Sequence, residues 1–231
     1  MSAVAEARVS SWADARGSKS WVSALDALGR AYGHPRRSDG RRKLDQMLLA
    51  LLAEERGERV AGRWLDEMLR RFVDCNEIRV ARTRDLTAVV PEVPPTRLVR
   101  MQGLLQALYE SQGGLDVSAL VAMKPAEARV WLAALDVLER EELDAVLMVA
   151  LGAPVLPASA ALSRVARRLG LAGRKATRVQ AHRLASENLA PRSYREFYSL
   201  AAEHAAGRCR EEKPECGGCG VRPLCRSKGR W

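Results

Sequence analysis

Apolar residues recur at three- and four-residue steps along nearly the whole chain. Trp21, Leu25, Leu28 and Tyr32 form one stripe, and Leu44, Met47, Leu48 and Leu51 form another, the spacing of one buried helical face. The same period predicts helices over about 60–73, 96–112, 125–138, 141–151, 159–169 and 174–187. Pro125 falls where a first helical turn tolerates proline. Ser193 with Glu196 makes a capping-box pattern ahead of a helix reaching about Ala206. No segment alternates with the two-residue period of a strand, and no internal repeat is visible. The expected fold class is all-α, ending in a cysteine-rich coil. Residues 1–19 are small, polar and unpatterned, and read as a flexible N-terminal tail.

Composition narrows the class. Across 231 residues, 47% are hydrophobic and 29% charged, as in an ordinary globular protein with a real core. No apolar run approaches the ~18 residues needed to span a bilayer. The start of the sequence lacks the basic and apolar segments of a secretory signal. The expectation is a cytoplasmic protein with no membrane partner, nucleoid-associated if the cell is bacterial. The formal charge of +10 is placed unevenly: residues 151–231 hold 16 Lys/Arg against 6 Asp/Glu, and residues 1–150 balance to zero. Such asymmetry points to a polyanion partner, most often nucleic acid. The plainer reading is a solvated, Arg-rich surface.

Four of the five cysteines, Cys209, Cys216, Cys219 and Cys225, fall within 17 residues in the spacing C-x6-C-x2-C-x5-C. A short x2 link forces two sulfurs to one side, so four thiolates can converge on one inorganic centre. The favoured reading is a [4Fe-4S] cluster. Structural zinc stays open, although zinc sites usually show two short knuckles separated by a longer span. Disulfides are disfavoured because nothing indicates export. Cys75 stands apart in an apolar helical context and reads as a small buried hydrophobe. Trp21, Trp64 and Trp131 read as core. His34, His182 and His204 show no ligand spacing.

The cysteine spacing resembles that of the endonuclease III branch of the helix-hairpin-helix DNA glycosylases. The likeness runs from about Trp21 to Ser227 and rests on three stretches. LDQMLLALLAEERG (44–57) resembles the family's early barrel helix. LMVALGAP (147–154) with LSRVARRLGL (162–171) resembles the helix and connection entering the catalytic region. The cysteine tail is the most specific. The resemblance implies a six-helix barrel over 36–153, a cluster domain formed by 20–35 together with 154–231, and a cleft between them. It also implies removal of a base from a flipped-out nucleotide, with an aspartate stabilising charge at the sugar. In bifunctional members, a lysine forms a Schiff base.

The catalytic run departs from that pattern. Laid without a gap from Leu135 to Val165, the family's LPGVGRKTA becomes LDVLEREEL (135–143), which places Glu141 at the lysine position. The aspartate position becomes Ser159 in PASAAL (157–162). A serine hydroxyl supplies no fixed negative charge opposite a cationic transition state, and losing such a group typically costs ~10²–10³ in rate. The hairpin's Gly-Val-Gly becomes Val137, Leu138 and Glu139. The family's wedge glutamine becomes Glu54, and the loop between Cys209 and Cys216 carries a balance of −1. Strong helix formers now fill the turn. They favour one continuous amphipathic helix over 135–147, with Leu135, Leu138, Leu143 and Leu147 facing the core, over a working hairpin.

Three functional readings follow. The first is a cluster-bearing relative without catalysis that still binds nucleic acid, double-stranded DNA in particular. Its contacts would come from Arg164, Arg167, Arg168, Arg174, Lys175, Arg178 and Arg183, which the helical pattern puts largely on exposed faces, together with Arg210 and Lys213. The second is a protein-interaction or redox-sensing module with a protein partner. The third is an active glycosylase using Glu141 as a relocated acid.

Overall fold

The computed structural model describes residues 16–35, 40–54 and 56–227, with side chains from residue 20 onward. Among them are twelve α-helices and no strand, so the expected all-α class holds. No helix among these residues is long and apolar enough to cross a membrane. The tail expected over 1–19 lies outside the described residues up to residue 15, and helix α1 (Arg16–Tyr32) already begins at Arg16.

The chain divides into two compact units, one formed by residues 1–34 with 158–231, the other by 35–157. The second unit holds α2 (Lys43–Ala53), α3 (Glu58–Arg71), α4 (Cys75–Val80), α5 (Thr83–Val89), α6 (Pro95–Gln112), α7 (Ser118–Ala122), α8 (Pro125–Ala134) and α9 (Arg140–Leu151). Every α2 residue from Leu44 to Ala53 is buried, Asp45 and Gln46 included, so the helix hides more than the one stripe its period predicts. It lies against α9, buried from Glu142 to Ala150, and against α3. Lys43 Nζ ties the two central helices by donating to Ala150 O at 2.8 Å. Helices α4, α5 and α7 have seven residues or fewer, too short for a periodic pattern to reveal.

Cys75 is buried at 3% exposure, as the sequence suggested, with Asp45 Oδ1 3.8 Å from its sulfur. Burial first, and then the charge of Asp45, push its thiol up to about 11. The thiolate is the reactive form, so at pH 8 only ~10⁻³ of this group is nucleophilic. Iodoacetamide should therefore label Cys75 in urea-unfolded protein within minutes and leave it unmodified in the folded chain, as peptide mass spectrometry would read. Fast labelling of the folded protein would contradict this burial.

The first unit holds α1, α10 (Ala160–Leu169), α11 (Arg178–Asn188) and α12 (Tyr194–Gly207). Helix α12 packs on α10 and α1 and buries Phe197, Tyr198, Leu200, Ala201 and Ala202. Trp21 meets Phe197 edge to face, with ring centroids 5.4 Å apart, the arrangement aromatic quadrupoles favour. Trp21 and Trp64 are buried and Trp131 is half-buried. Pro125 starts α8 as expected. The Ser193–Glu196 capping box does not form. A 3₁₀ turn over Pro191–Ser193 leads into α12, Ser193 makes no cap bond, and Glu196 pairs with His34 instead. Thr177 and Gln180 make the reciprocal box at the start of α11.

Candidate cluster loop and nucleic-acid interface

The segment carrying the cysteines is held in an unusual way. Between residues 208 and 227, Val221 is the one buried residue. Ordering a residue's backbone costs ~1–2 kcal/mol, so apolar packing cannot hold twenty residues through a single valine. Polar clamps supply part of the difference. Arg168 Nη1 donates to Cys209 O at 2.9 Å and to Arg210 O at 2.6 Å, and its Nη2 donates to Glu211 O at 2.9 Å. The same Nη1 lies 3.4 Å from Cys209 Sγ. Arg164 Nε adds a bond to Cys209 O at 3.1 Å, and Ser227 N–H donates to Arg168 O at 3.2 Å.

The four cysteines are each partly exposed and free of disulfides. Cys225 Sγ lies 3.3 Å from Arg168 O. Burial raises the Cys209 thiol above its ordinary pKa; the hydrogen bond and charge of Arg168 oppose the rise, and the nearby Cys225 and Cys219 add to it. Among the described residues, no three His, Cys, Asp or Glu side chains are gathered closely enough to hold one metal ion. The donor set itself suits an iron–sulfur centre: four thiols on one segment that has almost no core of its own and is faced by a guanidinium. Bound metal commonly supplies the folding energy of such segments.

His204 was not legible as a site residue, yet it stands beside this loop. It is 2% exposed, its Nδ1 lies 2.7 Å from Tyr32 Oη, and its Nε2 lies 4.0 Å from Cys219 Sγ. Burial, then the charge of Arg168, lower its pKa to about 4, so the ring is neutral near pH 7. With the phenol donating to Nδ1, the remaining N–H faces sulfur. Its position five residues before Cys209 was the available signal.

The expected nucleic-acid contacts separate into groups. Arg168 is only 8% exposed, contrary to the exposed placement its helical position implied, because the cysteine loop folds over it and takes up its donors. Arg164 and Arg167 are half-buried, while Arg174, Lys175, Arg178 and Lys213 are exposed. Arg167 Nη1 donates to Ala176 O at 3.2 Å. Arg183 pairs with Glu187 at 3.7 Å. Arg210 is paired with Glu215, which Arg208 also binds at 2.7 Å.

In the other unit the predicted continuous helix over 135–147 is broken. Helix α8 ends at Ala134, Asp136 takes φ 54°, and Glu139 is extended before α9 starts at Arg140. Aspartate tolerates the left-handed region better than most residues, so the turn survives without glycine. Leu143 and Leu147 are buried, whereas Leu135 and Leu138 are only half-buried. Tertiary ties override the local helix preference. Arg129 on α8 binds Asp144 on α9 at 2.5 Å. Arg100 reaches Val137 O at 3.3 Å and Glu139 at 2.7 Å.

The start of α9 is occupied by the chain's own carboxylates. Glu139 N–H donates to Glu142 Oε2 at 2.8 Å. Glu142, 6% exposed, accepts from Arg97 at 2.8 Å and lies 3.5 Å from Arg100. Arg97 pairs in turn with Glu54. Glu141 is half-buried in the first turn of α9. In the first unit, Ser159 is 1% exposed and caps α10, its Oγ accepting from Leu162 N–H at 3.0 Å.

Comparison with solved structures shows that the chain shares the fold of known DNA glycosylases. An endonuclease III trapped as a covalent intermediate with DNA superposes with TM-score 0.64 at 14% identity, over 92% of this chain and 97% of that one. A non-covalent endonuclease III–DNA complex gives 0.65 at 13% identity, with the same coverage. A thermostable thymine-DNA glycosylase gives 0.62 at 16% identity, over 94% and 98%. No family model matches the sequence, and no curated protein does.

Proposed function

We propose that this chain is a [4Fe-4S] protein of endonuclease III architecture that binds duplex DNA through its basic first unit and lacks glycosylase and lyase chemistry. Cys209, Cys216, Cys219 and Cys225 would hold the cluster, whose chemistry there is to cross-link a segment that packing leaves loose. The contrast between the two units carries the reading. At the turn before α9 the Glu139 N–H is taken up by Glu142, and Arg97 and Arg100 are held by Glu54, Glu139 and Glu142. The 170–178 region instead exposes Arg174 and Lys175, which meet no carboxylate among the described residues. The DNA-bound state of the structural neighbours supports the same partner.

The absence of catalysis rests on the two family positions. Ser159 Oγ caps a helix and carries no negative charge, and Glu141 has no amine with which to form a Schiff base. Two measurements test the proposal. Duplex affinity should fall steeply with salt, because phosphate contacts release counterions. A panel of damaged-base duplexes should show no base release and no borohydride-trapped adduct. Duplex affinity that ignores salt would remove the DNA-binding half. Base release abolished by Glu141→Gln would restore the enzyme.

A further inference from the structure

We infer that Arg164, Arg167 and Arg174 build a seat for a single phosphate group beside the cysteine loop. The inference deepens the proposed duplex binding and rests on it for the source of that phosphate. These three side chains, with Arg168, Glu211 and Ser227, line a concavity of about 250 Å³. Drug-sized ligands occupy roughly 300–1,000 Å³ of mostly apolar space. This site is smaller and walled by guanidinium groups, so it suits a small oxyanion better than a nucleoside.

The walls are set before any ligand arrives. Arg168 is held by three loop carbonyls, Arg164 Nε by Cys209 O, and Arg167 Nη1 by Ala176 O. Each guanidinium has five N–H donors, so Arg164 and Arg167 retain several beyond these bonds. Arg174 is exposed and meets no partner among the described residues. Against four cations stands one carboxylate, Glu211, 3.6 Å from Arg164 and with its side chain 85% exposed. A phosphate satisfies the remaining donors through charge-assisted bonds and relieves the repulsion among like charges. The turn that brings Arg174 round is set by Gly170. It ends α10 at φ 80°, and the Arg226 side chain packs so closely that a Cβ would sit 2.2 Å from its Cδ.

The full-length, cluster-loaded protein tests this. Inorganic phosphate should shift the arginine Nε–H resonances of Arg167 and Arg174, and acetate at equal ionic strength should not. Arg174→Gln removes no contact that folding uses. It should weaken duplex binding about tenfold and flatten the salt dependence by about one unit of log–log slope. A duplex bearing a 5′-phosphate that binds more tightly than its 5′-hydroxyl counterpart would support the seat with a terminal monoester as source. Equal binding of the two, with the Arg174→Gln loss retained, would support it with backbone phosphate as source. Wild-type duplex affinity and slope in Arg174→Gln, with phosphate leaving the resonances unmoved, would overturn the seat and leave duplex binding standing. Phosphate shifts in a protein that binds no duplex would support the seat and overturn the duplex reading instead. A polyglutamate peptide that Arg174→Gln weakens, while phosphate and duplex are untouched, would overturn it in favour of a carboxylate-bearing partner.

Discussion

Anaerobically purified protein should be brown, with broad absorbance near ~400 nm from thiolate-to-iron charge transfer and about four irons per chain. Changing Cys219 to alanine should bleach it. The structural consequence should be larger than a lost cofactor, because Val221 is the one buried side chain from 208 to 227. Without the cluster, this segment has its arginine bonds and a few local backbone turns to set against an ordering cost on the order of 20 kcal/mol or more. Hydrogen exchange should show 208–227 unprotected in Cys219→Ala, while α2 and α9, buried in a separate unit, keep their protection. A colourless wild-type protein with stoichiometric zinc would end the iron reading. Full protection of 208–227 in the alanine variant would show that no inorganic centre is needed to hold it.

Replacing Arg97 with methionine should cost the second unit about 1.5–3 kcal/mol, read from urea unfolding. Arg97 has a side chain only 17% exposed and bridges Glu54, 23% exposed, and Glu142, 7% exposed. Removing Arg97 leaves Glu142 with only the Glu139 N–H and the more distant Arg100, and takes from Glu54 a pairing cation. A partly buried carboxylate that loses its nearest cation costs more than the pair contributed. Part of the loss should return when Glu142 and Glu54 are also made neutral in Arg97→Met, Glu142→Gln, Glu54→Gln. A loss below ~1 kcal/mol would mean that the network is solvent-screened, as surface pairs are.

The sequence made some elements plain and hid others for identifiable reasons. Helix α2 was legible because Leu44, Met47, Leu48 and Leu51 repeat at helical steps, and the cysteine quartet was legible because its ligands are local. The turn at 135–139 was legible only in part: the helical period breaks between 138 and 141, close to where the structure breaks it. Leu135 to Leu143 prefers helix residue by residue, and what breaks it is Arg100, some forty positions away, reaching Val137 O and Glu139. Arg168 was misread for a similar reason. Its place on α10 gives no hint that a loop forty-one residues on will fold across it. His204 and Tyr32, 172 residues apart, meet only in the folded unit. Local pattern revealed the helices; the long-range ionic ties that decide the turn and the site were invisible to it.

The cysteine-bearing unit draws its helices from both sides of residues 35–157. Helix α1 presents Trp21, Leu25 and Leu28, whose cover includes Phe197 on α12. At roughly 5–20 residues per second of translation, the ribosome needs about 6–25 s to make the intervening 123 residues. Throughout that interval the tryptophan stripe is a greasy, uncovered handle on a nascent chain. Slowing elongation inside the inserted unit would prolong this exposure, a hazard set by chain order and not by final stability.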